Sequence, residues 1–264
     1  MSRTRGMWNG KGMWAAGMVL AGVIGLTTYA VLDEDDDGAR GNGPAKPTAS
    51  ASASGPRAVP TITPPDDWTE PERWAALPRG SKTDSYGSRV GFPHTTEGAV
   101  AMMAAANSTD IEGDRTNVTE QKRLYESYMG AKGHQPAVGE KIEEKARQTD
   151  RVLHEGMGVG VSQPLPSGAY VRSTVVGYQV IGKSADEVSV WLASSVAQKN
   201  GEMAKEDVEY TRTLLAASWE NGDWKLSVDA VVRVINEGHP KPSFAPPGDP
   251  KFNQYGWTAI RSAS

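Results

Sequence analysis

Residues 208–235 read VEYTRTLLAASWENGDWKLSVDAVVRVI, and their pattern decides the class of the folded part of this chain. Apolar and polar side chains alternate from Val208 to Trp219 and again from Trp224 to Ile235, the period expected of strands with one buried face. Between the two runs stands Trp219-Glu220-Asn221-Gly222-Asp223-Trp224. Asn-Gly between alternating segments is a strong hairpin signal, because both residues tolerate the positive φ of a type I′ turn. Trp219 and Trp224 then oppose one another across the strands. Two further alternating segments precede these. Ala169–Ile181 sets Tyr170, Arg172, Thr174, Val176, Tyr178 and Val180 on one side, and Glu187–Ala197 sets Val188, Val190 and Leu192 against Ser189, Trp191 and Ala193. The expectation is an antiparallel meander of about four strands.

Three helical stretches come before the strands. Thr95 or Thr96 is placed to cap the first, Glu97 sits where the helix dipole favours an anion, and AVAMMAAAN supplies strong helix formers up to Asn107 and Ser108. The second begins near Asn117 or Thr119 and carries Leu124, Tyr125, Tyr128 and Met129, with Gly130 and Gly133 interrupting it. The third runs from about Val138 to His154, with Ile142, Ala146, Val152 and Leu153 on a narrow apolar face, and Gly156 and Gly158 mark its end. Beyond Glu237 the chain is too rich in proline for regular structure and is expected to wrap the domain, docking Phe252, Tyr255 and Trp257.

The N-terminal quarter reads differently. Met13–Leu32 is twenty residues without a charge, which at about 1.5 Å per residue matches a hydrocarbon core of about 30 Å. Arg3, Arg5 and Lys11 precede it and predict a cytoplasmic N-terminus, and Trp14 and Tyr29 lie at headgroup level. A cleaved signal peptide has a shorter apolar region and a small-x-small site close behind it, whereas here Ala51 and Ala53 come well downstream. Gly17, Ala21 and Gly25 share one face with the spacing of closely packed helix pairs, a spacing that the ordinary glycine and alanine content of membrane helices also produces. Residues 33–65 start with Asp33, Glu34, Asp35, Asp36 and Asp37 and continue in Ala, Ser, Gly and Pro, too poor in apolar groups to offset the entropy of ordering. The expected organisation is a cytoplasmic tail at 1–12, a transmembrane helix at 13–32, a disordered stalk at 33–65 and an extracytoplasmic α+β domain at 66–264. The localisation that follows is the cell membrane, single-pass.

Charge and composition exclude several chemistries. The formal net charge is -4 and the outer part is near balance, so the clustered Lys and Arg needed to displace counterions from nucleic acid are missing. No direct nucleic-acid partner is expected. The chain contains no cysteine, which removes thiol catalysis, disulfides and Cys-ligated zinc. His94, His134, His154 and His239 form no HxxxH or HExxH array. His94 stands before a helix, where it either positions an anion or packs the helix start. His154 beside Glu155 is read as a ring stabilising a helix C-terminus. Ser162, Ser167, Ser194 and Ser195 lack the GxSxG elbow. Gly156, Gly158 and Gly160 follow a helix rather than a strand, so they read as a helix stop and not as a dinucleotide loop. Arg172, Arg212, Asp186, Glu187, Glu206, Asp207 and Glu209 could line a pocket in the sheet, but charges guarding strand edges explain them more simply. No catalytic, cofactor-binding or metal residue is assigned.

Helices followed by a curved antiparallel sheet resemble the nuclear-transport-factor-like (cystatin-like) arrangement. With the anchor and stalk, the layout resembles the bitopic scaffold subunits of conjugation and type IV secretion systems. Trp74, Leu77 and Pro78, then Tyr86-Gly87, Gly91-Phe92-Pro93-His94-Thr95 and Gly98-Ala99-Val100-Ala101, resemble membrane-anchored proteins of actinobacterial, Streptomyces-type mobile elements. These resemblances imply a non-enzymatic scaffold without cofactors. Its partners would be the lipid bilayer and other membrane or secretion-apparatus proteins, with a homo-oligomer open. The competing expectation is an enzyme or small-ligand module built on a pocket in the concave sheet.

Overall fold

Three long strands carry the architecture: β5 (Ala169–Lys183), β6 (Glu187–Asn200) and β7 (Asp207–Glu220), antiparallel in sequence order. The computed structural model describes residues 68–261. The expected tail at 1–12, membrane segment at 13–32 and stalk at 33–65 lie outside the described residues. Among the described residues no helix is long and apolar enough to cross a membrane.

Before the long strands come β1 (Trp74–Ala76), β2 (Lys82–Thr83), β3 (Arg89–Val90), α1 (Thr96–Ala106), β4 (Thr109–Glu112), α2 (Asn117–Tyr128) and α3 (Pro136–Gly156). After them come β8 (Asp223–Leu226), α4 (Val228–Asn236), α5 (Pro250–Gln254) and β9 (Thr258–Arg261). The sheet runs β1-β9-β5-β6-β7-β8, with β4 also paired to β5, while β2 and β3 form a separate hairpin. This corrects the fold expectation. The class is α+β, but the sheet has seven strands rather than about four. It is also mixed rather than antiparallel, because β1 pairs in parallel with β9. Nor is the cover one-sided, as a nuclear-transport-factor-like arrangement would require. The α1, α2 and α3 side packs Met102, Met103, Leu124, Tyr128 and Ile142 on Val188, Val190, Leu192, Leu215 and Trp224. The opposite side packs α4 and the C-terminal segment, through Val231, Val234, Phe252 and Trp257, on Trp191, Ala193, Leu214 and Ala216. The transmembrane helix included in that expectation is not among the described helices.

Local chemistry explains the departures. The run 228–235 is apolar at both parities, so alternation alone cannot separate strand from helix. The Ser227 hydroxyl accepts the Ala230 N–H and Asp229 occupies the first turn, and these start α4, which buries Ala230, Val231 and Val234 on one face. In β5 the register shifts between Val175 and Gly177 and again between Val180 and Gly182. Such bulges reset the alternation, so Tyr178 packs on the α1 side while Val176 packs on the other.

The hairpin of β7 and β8 has Trp219 opposite Trp224 with ring centroids 5.3 Å apart. Asn221 (φ 52°) and Gly222 (φ 83°) make its turn. Thr95 caps α1 by accepting the Gly98 N–H at 3.0 Å. At Gly98 a Cβ would lie 1.9 Å from the Pro93 carbonyl oxygen, which also accepts the Trp224 indole N–H at 2.8 Å. The start of α2 is capped twice: Thr116 takes the Thr119 N–H, and Asp150 of α3 takes those of Asn117 (2.8 Å) and Val118 (3.1 Å).

The C-terminal segment is more ordered than its prolines suggest. Phe252 and Trp257 are fully buried, whereas Tyr255 stays 37% exposed, with its carbonyl accepting from Gln179. The start of the described chain is held against this segment. Thr69 bridges Gly248, Trp68 lies over Gly248, the Glu72 N–H donates to the Asn253 side chain, and that side chain donates to the Glu70 carbonyl.

Candidate functional site

An open cleft of about 540 Å³ lies where three segments distant in sequence meet. One wall is the β2–β3 hairpin. Its turn is organised by Asp84, whose carboxylate accepts the N–H groups of Tyr86 (3.0 Å) and Ser88 (2.8 Å), an Asx-type arrangement that aspartate favours. The hairpin is tied to α2, since Arg123 donates to the Ser88 hydroxyl and the Tyr128 hydroxyl donates to the Arg89 carbonyl. The second wall is the end of α2 and the loop beyond it, with Glu126, Ser127, Met129 and Ala131. The third is the β7–β8 turn, with Glu220, Asn221, Asp223 and Lys225.

Much of the polar lining holds these walls together. Asp223 accepts the N–H groups of Gly91 (3.0 Å) and Phe92 (3.1 Å), fixing the loop into α1. Glu220 accepts the Ala131 N–H at 3.0 Å. Lys225 donates to the Ser127 carbonyl at 2.8 Å and reaches Asp223 at 3.5 Å. His134 stacks on Tyr125, with centroids 4.6 Å apart, and places Nε2 3.0 Å from the Glu126 carboxylate. Burial alone would push the Asp84 carboxyl up, but the N–H groups of Ser88 and Tyr86 and the Lys225 ammonium outweigh it and hold the group below the ordinary carboxylate value. Lys82 stands exposed at the rim beside Tyr86, which is 48% exposed. The lining is acidic on balance, and partly apolar at Val90 and Met129.

The histidines stay apart. His94 stacks on Trp219 at 4.0 Å and its Nε2 lies 2.9 Å from Asp186, a clasp between the start of α1 and the β5–β6 turn. His154 is 3% exposed, with Nδ1 2.7 Å from the Asp150 carbonyl and Nε2 3.1 Å from that of Gln163. His239 places Nε2 3.1 Å from the Glu237 carboxylate. Among the described residues no group of His, Cys, Asp and Glu is arranged to hold a metal. Ser167 donates to Glu202, and Ser194 accepts from buried Asn107. The charges on and beside the strands tie elements together: Arg172 of β5 pairs with Asp110 and Glu112 of β4, Glu187 of β6 with Arg233 of α4, and Glu206 accepts from Tyr170, while Arg212 donates to the Pro242 carbonyl. Gly156 ends α3 and Gly158 follows at φ 71°.

Sequence reasoning missed the cleft. Lys82, Asp84, Tyr86, Glu126, Glu220 and Asp223 belong to no single motif. The one local sign was the Asp84-Ser85-Tyr86-Gly87 turn, which marks a hairpin but not what it faces. Comparison with curated proteins and with solved structures finds no match. Residues 33–240 match the family described as "Domain of unknown function (DUF8175)", and the chain belongs to that family.

Proposed function

We propose that this protein is a non-enzymatic binding component of a membrane-spanning transfer or secretion apparatus, held at the cell membrane through the apolar segment 13–32. Its folded domain acts outside the membrane through protein contacts. The observation that carries the reading is the filling of the sheet on both faces. The side chains of α1 lie buried against β6, β7 and β8, and Phe252 and Trp257 seal the other face, so the space that a ligand pocket in the sheet would need holds core side chains. The open cleft beside the sheet, built from loops pinned in place, suits a surface that meets another protein. The resemblance of residues 74–101 to mobile-element membrane proteins supports the transfer setting.

The test is affinity purification of the full chain from its native host in mild detergent, paired with deletion of its gene. Recovery of transfer-system proteins and a fall in transfer frequency are expected. Recovery of no such partner together with unchanged transfer overturns the reading.

A further inference from the structure

We propose that the cleft between the β2–β3 hairpin, the end of α2 and the β7–β8 turn receives a basic side chain, arginine or lysine, presented by a segment of a partner protein. The inference rests on the binding-module reading and specifies the chemistry of its contact. The carboxylates Asp84, Glu126, Glu220 and Asp223 face the ammonium groups of Lys82 and Lys225, which leaves two negative charges in excess. Asp84 and Glu220 bind neutral backbone N–H groups, which occupy lone pairs without cancelling charge. Lys225 is already spent on Asp223 and the Ser127 carbonyl. A concave wall of like charge concentrates ions of the opposite sign.

The rest of the lining fits the shape of a long cationic side chain. Val90 and Met129 supply apolar contact for its methylene stem. The exposed Tyr86 ring at the rim offers a π-face to its head, and the Glu126 carboxylate lies beside that ring.

A second, independent observation comes from Ser127. It lines the cleft and is 3% exposed, and its Oγ, although near Asp84, makes no hydrogen bond of ordinary geometry. Buried hydroxyls are normally satisfied, and a guanidinium or ammonium donor meets this deficit.

The test uses the full chain in non-ionic detergent and follows the fluorescence anisotropy of labelled short peptides, one of arginine and glycine, the other of glutamate and glycine. The arginine peptide is expected to bind, more weakly as salt rises, and the glutamate peptide is not. Lys82→Gln is expected to tighten binding about threefold and Glu126→Gln to weaken it by about fivefold, the range of a partly exposed charge pair. Tyr86→Ala is expected to weaken it about threefold, by loss of the ring. Glu143→Gln, on the exposed face of α3, is expected to change nothing.

Because Lys82→Gln predicts a gain, misfolding cannot imitate it. Equal binding of both peptides, no tightening in Lys82→Gln, or equal weakening by Glu143→Gln and Glu126→Gln overturns the proposal. Free arginine binding as tightly as the peptide overturns the assignment to a protein segment. If partners co-purify but the arginine peptide does not bind, this inference falls while the binding-module reading stands. If no partner co-purifies, that reading falls whatever the peptide does.

Discussion

Replacing Gly98 by alanine separates helix propensity from packing more sharply than any other change in this molecule. In an exposed helix the substitution is expected to stabilise by about 1 kcal/mol. Here the new methyl would sit 1.9 Å from the Pro93 carbonyl oxygen and 2.9 Å from its carbon. Neither atom is free to move. The oxygen accepts the indole N–H of fully buried Trp224 at 2.8 Å and the Thr95 N–H at 2.8 Å, and the loop on its other side is held by Asp223. Forcing the carbonyl aside adds an overpacking cost of about 1–3 kcal/mol. Leaving the Trp224 donor buried without its acceptor adds about 1–3 kcal/mol more. Set against the propensity gain, the net is a destabilisation of about 3 kcal/mol. For a domain of this size that is a fall in Tm of about 6–12 °C, read by thermal melts followed through tryptophan fluorescence. An unchanged or raised Tm would refute the reasoning, because it would mean that the Pro93 carbonyl yields without disturbing Trp224.

Two further outcomes follow from the same structure. Burial raises the pKa of Asp150 in spite of the two α2 N–H groups it accepts and the nearby His154, so the folded state favours its neutral form. Its contribution is therefore fully present below the unfolded carboxylate value of about 3.9 and is lost as pH rises through the folded value. Asp150→Asn, measured by urea denaturation, should consequently be less unfavourable relative to the parent at pH about 7 than at pH about 4; the reverse trend rejects the assignment. Ending the chain at residue 240 removes Phe244, Phe252, Trp257 and the strand that holds β1 to the sheet. That truncation should bind the dye ANS strongly and lose the cooperative melt, and a native-like melt would show that the apolar face of β6 and β7 is sealed by something else.

What could be read from the sequence was local, and what could not was the outcome of long-range competition. The Asn221-Gly222 turn, the facing tryptophans, the Thr95 cap and the glycine stop at the end of α3 each follow from a few adjacent residues, and each is present in the structure. The segment 228–235 was ambiguous because valine and isoleucine suit strands while Ser227 and Asp229 begin a helix, and packing against β7 favours the helix. β9 was hidden by its length, four residues behind a proline-rich stretch, too few for a period of two to register. The side reversal within β5 depends on bulges, and the glycine at 177 that permits one lies against the ring of Phe252, far along the chain. The cleft has no signature for the same reason: Asp84, Glu126 and Asp223 become neighbours only after the hairpin, α2 and the sheet have assembled.

The pairing of the two ends of the described chain has a mechanical consequence. A pull on the chain ahead of Trp68 does not reach the long strands directly. It is met first by the contacts of Trp68, Thr69, Glu70 and Glu72 with Gly248 and Asn253, and next by the short parallel ladder of β1 on β9. Those contacts involve few residues, whereas β5, β6 and β7 are joined along almost their whole length. Under tension at residue 68 the first strand is expected to peel away before the β5–β7 core loses its shape, so the N-terminal clasp yields first.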